Sequence, residues 1–262
     1  MQNMNQLSGF VFDKYILMSK KVKWHIGCSG FYYKEWKEIF YPKGLPQKKW
    51  FEFYCQHFNT LELNVTFYHF PEIGFLEKWY DKSPEDFSFS VKAPRLITHY
   101  KQFLDVEELL NDFYGVVKKG LKEKLGCILF QLPGKIEYSA EKLQRIISCM
   151  DTSFNNVIEF RDASWWNDEV YSALRKNKIV FCSISISKLP DEVVATKNIV
   201  YYRFHGIPLL YISPYSNEQL KKIADEIIAD TKIRGAFIYF NNTASASAIK
   251  NALWLKHYCE EH

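Results

Sequence analysis

The sequence predicts a single closed α/β barrel of the (β/α)8, TIM type, a parallel sheet wrapped by outer helices. Three observations carry that expectation. Eight short β-rich runs punctuate the chain, and helix-like stretches fall between most of them. The polar residues of several runs alternate with apolar ones in a phase that always includes the last residue of the run.

The runs lie at 25–29, 60–64, 87–92, 127–131, 157–161, 180–185, 201–205 and 237–241. Helix-like stretches lie at 48–57, 75–82, 106–123, 140–150, 168–176, 217–229 and 246–258. Ser139 and Ser216 stand where N-caps belong, and Ser216 with Gln219 forms a capping-box pattern. The sixth run is followed only by a short connection near 191–197. Strands alternating with helices require a parallel sheet, and eight of them suit closure into a barrel. A half-buried antiparallel sheet with its polar faces in water is the competing arrangement, but it leaves the intervening helices nothing to cover.

Side-chain parity sharpens the expectation, because successive strand residues point to opposite faces. The first run ends on Ser29. In the second, Glu62 and Asn64 oppose Leu61 and Leu63; in the third, Ser88, Ser90 and Lys92 oppose Phe87, Phe89 and Val91. The fourth ends on Gln131. Glu159 and Arg161 oppose Ile158 and Phe160 in the fifth run, and Tyr201, Arg203 and His205 oppose Tyr202 and Phe204 in the seventh. In the eighth, Tyr239 and Asn241 oppose Ile238 and Phe240. In a barrel the ends of these polar sets surround the C-terminal mouth, where such folds build their sites.

Length and composition agree with one domain. A β/α barrel takes about 250 residues, and this chain has 262, 47% of them hydrophobic, with 21 Phe and 17 Tyr. The formal charge of +4 is mild and both signs are mixed along the chain, unlike a dedicated nucleic-acid binder with a basic face. The six cysteines form no Cys-x-x-Cys pair and are expected to be reduced thiols in a cytoplasmic protein. No apolar run is long enough to span a membrane. Residues 1–20 lack the marks of a signal peptide, and Met18-Ser19-Lys20-Lys21 reads as a second start. The expected organisation is an appendage at 1–20 and a barrel domain at 21–262.

The mouth therefore gathers Ser29, Glu62, Asn64, Lys92, Gln131, Glu159, Arg161, Arg203, His205 and Asn241. So many polar groups inside a barrel are costly unless they pair with one another or meet a ligand. As a structural network, Glu62 would pair with Lys92 and Glu159 with Arg161 or Arg203. As a site, His205 is the natural proton shuttle, since an unperturbed imidazole titrates near neutrality. Glu62 and Glu159 would serve as acid and base if their environments drove their pKa values apart. Lys92 would form a Schiff base or bind an anion; a neighbouring carboxylate keeps a lysine protonated, which favours anion binding. Arg161 and Arg203 suit a carboxylate or phosphate ligand.

A divalent metal on Glu62, Glu159 and His205 would use ordinary ligand types. The chain lacks His-x-His and His-Glu-x-x-His, so a metal is not favoured and no cofactor is identified. After the eighth run, the hydroxyl-rich stretch 241–247 either caps the last helix or cradles a phosphate. Tyr32, Tyr33, Trp36, Phe67, Tyr68, Trp165 and Trp166 follow strand ends, where they wall a pocket or pack loops down.

These segments resemble the YecE-like family, a domain of unknown function. The resemblance is carried by Gly27-Cys28-Ser29-Gly30-Phe31-Tyr32-Tyr33 with Trp36, by Phe40-Tyr41-Pro42, and by Phe58-Asn59-Thr60 through Glu62, Asn64, Thr66, Phe67 and Tyr68. It continues through Phe89-Ser90-Val91-Lys92-Ala93-Pro94 with Thr98-His99, and through Phe130-Gln131-Leu132-Pro133. Glu159-Phe160-Arg161 with Ser164-Trp165, Arg203-Phe204-His205-Gly206 and Tyr239-Phe240-Asn241-Asn242 complete it. The resemblance implies a TIM-type barrel and adds His99 and Asn242 to the candidate ligand-binding residues. Thr243 departs from it, standing where relatives often carry an acidic residue.

The expected function is an enzyme acting by acid/base chemistry on a small polar or anionic molecule, sugar- or phosphate-like. Glu62, Glu159 and His205 would do the proton work. A nucleic-acid-processing or nucleic-acid-binding barrel and a non-catalytic metabolite-binding protein are the alternatives, the first disfavoured by the inward cations. No membrane partner is expected, and oligomeric state is not legible in the sequence.

Overall fold

A computed structural model describes residues 21–262, so the appendage expected at 1–20 lies outside the described residues. The eight runs become strands β1 (Lys23–Cys28), β2 (Thr60–Leu63), β3 (Ser88–Lys92), β4 (Leu125–Gln131), β5 (Asn156–Glu159), β6 (Val180–Ser185), β7 (Ile199–Phe204) and β8 (Gly235–Phe240). All pair in parallel in the order β1-β8-β7-β6-β5-β4-β3-β2. A single bridge between Ser29 and Glu62 joins the two ends, so the sheet is a nearly closed barrel. The fold class expected from the alternation is the one observed.

The helices are α1 (Trp50–Cys55), α2 (Val65–Tyr68), α3 (Ile73–Lys82), α4 (Glu107–Leu121), α5 (Ala140–Cys149), α6 (Asp168–Lys176), α7 (Asn217–Ala229) and α8 (Ser247–Glu261). Ser139 caps α5 by accepting the Lys142 N–H, and the capping box of Ser216 and Gln219 opens α7. No helix forms between β6 and β7.

Boundaries differ from expectation at the mouth. Ser29, Asn64, Arg161, His205 and Asn241 fall just beyond their strands. Asn64 already has helical backbone angles and turns the chain into α2, and Gly206 takes a positive φ after β7. The ladder stops there because the chain must bend outward to reach the helical layer. α2 and the π-helical turn Leu96–Tyr100 have no counterpart in the predicted elements.

Parity separates the core into two compartments, as a barrel requires. The larger lies between sheet and helices and includes Ile26, Leu61, Phe89, Phe130, Phe181 and Phe240. The inner one fills the barrel with Cys127, Leu129, Val157, Val180, Cys182, Ile184, Tyr201, Phe237 and Tyr239. His25 stacks on Phe237 within it, ring centroids 4.4 Å apart.

The β1–β2 seam is closed by a side chain. Tyr54 of α1 accepts the Cys28 N–H at 2.8 Å and donates to the Thr60 carbonyl at 3.0 Å. It satisfies two buried backbone groups that no strand partner reaches. Gly27 permits this close approach, since a Cβ there would stand 2.3 Å from the Thr60 oxygen.

Candidate functional site

Above the apolar floor of the barrel the interior turns polar in steps. First comes a hydroxyl layer in which the Tyr239 hydroxyl meets Thr60 Oγ1 at 2.6 Å and Ser90 Oγ at 2.8 Å. Glu62, Tyr201 and Arg203 lie above it. Tyr201 donates to Glu62 Oε2 at 2.6 Å, and Arg203 Nη2 donates to Glu62 Oε1 at 2.7 Å.

Arg203 also donates through Nη1 to Glu159 Oε2, and Arg161 Nε donates to Glu159 Oε1 at 2.6 Å. Glu62, Glu159 and Arg203 are essentially inaccessible, whereas the Arg161 side chain is 17% exposed. Arg161 therefore forms the outer end of a buried chain of alternating charge, and its Nη1 reaches the Tyr211 hydroxyl at 3.3 Å. Burial alone would raise the Glu159 carboxyl. The guanidiniums of Arg203 and Arg161 overturn that and hold it well below the usual carboxylate range.

Lys92 takes a different partner from the one expected. Its Nζ donates to Gln131 Oε1 at 2.9 Å and sits over the Phe67 ring, 4.0 Å from its centroid. The expected Glu62–Lys92 ion pair is absent among the described residues. In the sheet register Glu62 stands beside Ser90, not beside Lys92, so the stagger lifts Lys92 above Glu62. Without a carboxylate at contact, burial and then the positive Arg203 push its pKa down to about 7. The neutral Gln131 amide stands where a carboxylate neighbour was expected.

His205 is fully buried, and burial followed by the charge of Arg203 holds its imidazole well below the ordinary value. It is therefore neutral near pH 7, which corrects the expectation of a group titrating there. Its Nδ1 lies 2.9 Å from Asn241 Nδ2. An amide nitrogen can only donate, so Nδ1 accepts and the proton resides on Nε2. That Nε2–H stands 3.7 Å from Glu159 Oε1, too far for a hydrogen bond, and has no acceptor among the described residues. Ser29 Oγ, Asn64 Oδ1 and Arg203 Nε likewise lack partners among them. Buried polar atoms are seldom left unpaired, and these four lie toward the C-terminal end of the barrel, while His25 Nδ1 is unpartnered among the described residues near its other end.

The remaining candidates divide. Gln131 bridges Lys92 and the Leu132 carbonyl. His99 bonds Thr98 and packs edge-on against Phe67, and its pKa is driven to about 4 by burial and then by Lys92. Asn242 turns away from the mouth, donating to the Ser213 carbonyl and to Asn251, and so anchors the loop after β7 to α8. Thr243 lies against the Tyr33 hydroxyl. In the stretch 241–247, Ser245 Oγ accepts the Ser247 N–H, while Ala246 occupies the N-cap of α8.

The aromatics divide too. Trp36 and Trp165 are buried and fasten loops through indole bonds to the Ser245 and Ile136 carbonyls, while Tyr32 and Tyr68 are exposed on the rim. Tyr211 was not among the candidates. It is placed by the loop after β7, and strand periodicity gives no signal for it. A cavity of about 550 Å³ opens beside the mouth, touching Ser29, Glu62 and Asn64. The outward-facing Leu61 and Leu63 line it with Phe75 and Trp79 of α3, so it lies behind the β2 wall.

No group of three or more His, Cys, Asp or Glu among the described residues could hold a metal ion. The set Glu62, Glu159 and His205 does not assemble as ligands, because both carboxylates are already engaged by arginines. All six cysteines are free. Among the described residues no helix is long and apolar enough to cross a membrane.

Comparison with known proteins gives a consistent set of relatives. Residues 25–262 match the family described as "Protein of unknown function DUF72". UPF0759 protein YunF of Bacillus subtilis is 26% identical over 87% of this chain and 91% of its own length. UPF0759 protein YecE of Escherichia coli is 30% identical over 45% of this chain and 47% of its own length. The crystal structure of a DUF72 family protein from Thermotoga maritima superposes with a TM-score of 0.82 at 26% identity. That match covers 91% of this chain and 99% of the other. A DUF72 family protein from Enterococcus faecalis gives a TM-score of 0.77 at 18% identity, over 90% and 95%.

Proposed function

This chain belongs to the DUF72 family, and from that premise we propose that it is an enzyme acting on a small anionic molecule bound at the C-terminal mouth. The observation that carries the reading is Arg161. It is tied to Glu159 at one edge of its fork and presents its outer end at the mouth, beside the unpartnered Nε2–H of His205. A guanidinium held this way matches a carboxylate or phosphate group. His205 contributes a neutral hydrogen-bond donor in this reading, suited to an oxygen that gains negative charge in the reaction. Glu62 and Glu159 act as the counter-ions that hold the arginines. The free cysteines fit a reducing compartment, and we assign the protein to the cytoplasm.

A thermal-shift titration with glyoxylate, inorganic phosphate and sugar phosphates tests this. A ligand of the folded state must raise the midpoint. The expected result is a rise with at least one of these anions that is absent in Arg161→Met when each protein is compared with its own unliganded midpoint. The reading fails if no anion raises it.

A second reading, a single-stranded nucleic-acid partner, is favoured by the rim. Tyr68 and Tyr100 are exposed, and the Arg95 guanidinium lies about as far from each ring, at 5.6 and 5.5 Å. Bases stack on such surfaces. Oligonucleotide binding that weakens steeply with salt and is lost in Tyr100→Ala would support it.

A further inference from the structure

We propose that Lys92 is a nucleophile whose amine condenses with the carbonyl carbon of a small anionic aldehyde or ketone to form a Schiff base. This rests on the reading of the mouth as a small-anion site and names its substrate class.

Two buried lysines in this chain show the contrast. Lys124, 6% exposed, is built to hold an ammonium: its Nζ donates to the Tyr80 carbonyl, the Ser83 carbonyl and Ser83 Oγ at 2.8 to 3.0 Å. All three N–H donors of the charged form are used. Lys92 is 9% exposed, yet its Nζ has one hydrogen-bond partner among the described residues, the neutral Gln131 amide oxygen. Its other neighbour is the Phe67 ring face. One acceptor suits an amine, whose second N–H and lone pair are then available.

The surrounding charges do not restore the ammonium. Arg203 and Arg161 oppose it, while Glu159 and Glu62 favour it; burial decides the balance and brings the group to about 7. His99, in edge contact with Phe67, is held neutral near pH 7 by burial and then by Lys92. An exposed lysine is a free amine in only roughly one molecule in 2,500 at pH 7. Lys92, lowered toward 7, holds a far larger share of free amine at that pH.

The step balances without an oxidant or reductant. The Nζ lone pair attacks the carbonyl carbon, forming the C–N bond as the C=O π pair moves to oxygen. One amine proton and one proton from solvent then leave with that oxygen as water, and the product is a protonated imine. Arg161 would hold the substrate's anionic group, and the His205 Nε2–H would bond the carbonyl oxygen while it carries charge.

The experiment is reductive trapping of the full chain with glyoxylate and cyanoborohydride at pH 7, with each lysine read by peptide mass mapping. Each modified lysine gains the mass of glyoxylic acid less one oxygen. The expected result is labelling of Lys92 at least tenfold faster than the median exposed lysine, with the ratio falling toward one as pH approaches 10. Gln131→Glu, which places a carboxylate at the amine, should slow Lys92 labelling at pH 7 and leave the exposed lysines unchanged. Labelling of Lys92 no faster than exposed lysines overturns the inference. If glyoxylate still raises the melting midpoint in that case, the anion-site reading survives and the lysine proposal alone is lost. If glyoxylate neither labels Lys92 nor shifts the midpoint, while phosphate does, the carbonyl class is excluded and the anion site stands.

Discussion

Arg203 and Glu62 meet across the barrel interior, Nη2 to Oε1 at 2.7 Å, although their strands, β7 and β2, are not neighbours in the sheet. The same guanidinium holds Glu159 of β5, so one side chain ties together three strands drawn from across the chain. Buried ion pairs of this kind rarely add net stability over an apolar core, but removing one member leaves the others uncompensated.

Arg203→Met should therefore destabilise the protein by about 3–5 kcal/mol, because two inaccessible carboxylates lose their shared counter-ion. Urea unfolding followed by circular dichroism checks this. A loss under about 1 kcal/mol would mean that the interior relaxes or admits water. Arg203→Lys should recover only part of the loss, since an ammonium lacks the planar fork that serves both carboxylates.

Tyr54→Phe should cost about 1–3 kcal/mol, since it leaves the buried Cys28 N–H and Thr60 carbonyl of the seam unpaired. Gly27→Ala should be worse, because its Cβ would strike backbone rather than a movable side chain. Unfolding midpoints of the two variants, compared with wild type, decide the order.

Acid should weaken the fold before its carboxylates are reached. Burial and then Lys23 lower His25 from an ordinary 6.5 to about 4, so the unfolded chain takes up this proton first. Its contribution is fully present above about pH 6.5 and is lost as pH falls toward 4, some 3 kcal/mol in all. His205 acts with the same sign. Glu159, depressed in the fold, adds its own loss only below the ordinary carboxylate range. His25→Phe preserves the stack on Phe237 and should flatten the stability profile between pH 6.5 and 4; an unchanged slope would assign that limb elsewhere.

Thiol reactivity should follow burial. Cys28, Cys127 and Cys182 are inaccessible, and burial raises each thiol above its ordinary value. In the native protein these three should resist a thiol-specific disulfide reagent, while the half-buried Cys55 and Cys149 react first. Mass mapping of partly labelled protein gives the order.

The fold and the membership of the mouth were legible because both follow from period-two alternation. A residue's parity fixes whether it points into the barrel, and its place at the end of a run fixes the height at which it points. Ser29, Glu62, Lys92, Glu159, Arg203 and His205 all stand where that rule puts them. Tyr211 escaped it because a loop, with no period, delivers it to Arg161. Asn242, added to the candidates by the resemblance and not by alternation, shares the outward parity of Phe240, and its side chain turns to Ser213 and Asn251.

What the sequence determined by itself is thus which side chains enter the barrel and at which end they gather, since local alternation is a property of neighbouring residues. Who pairs with whom was decided by tertiary structure. Strand stagger set Lys92 beside Gln131 and above Glu62, and closure carried Arg203 across to Glu62. The protonation states followed from those placements. Desolvation and the nearest charges, neither of which is local in sequence, left His205 neutral, Glu159 ionised and Lys92 poised near pH 7.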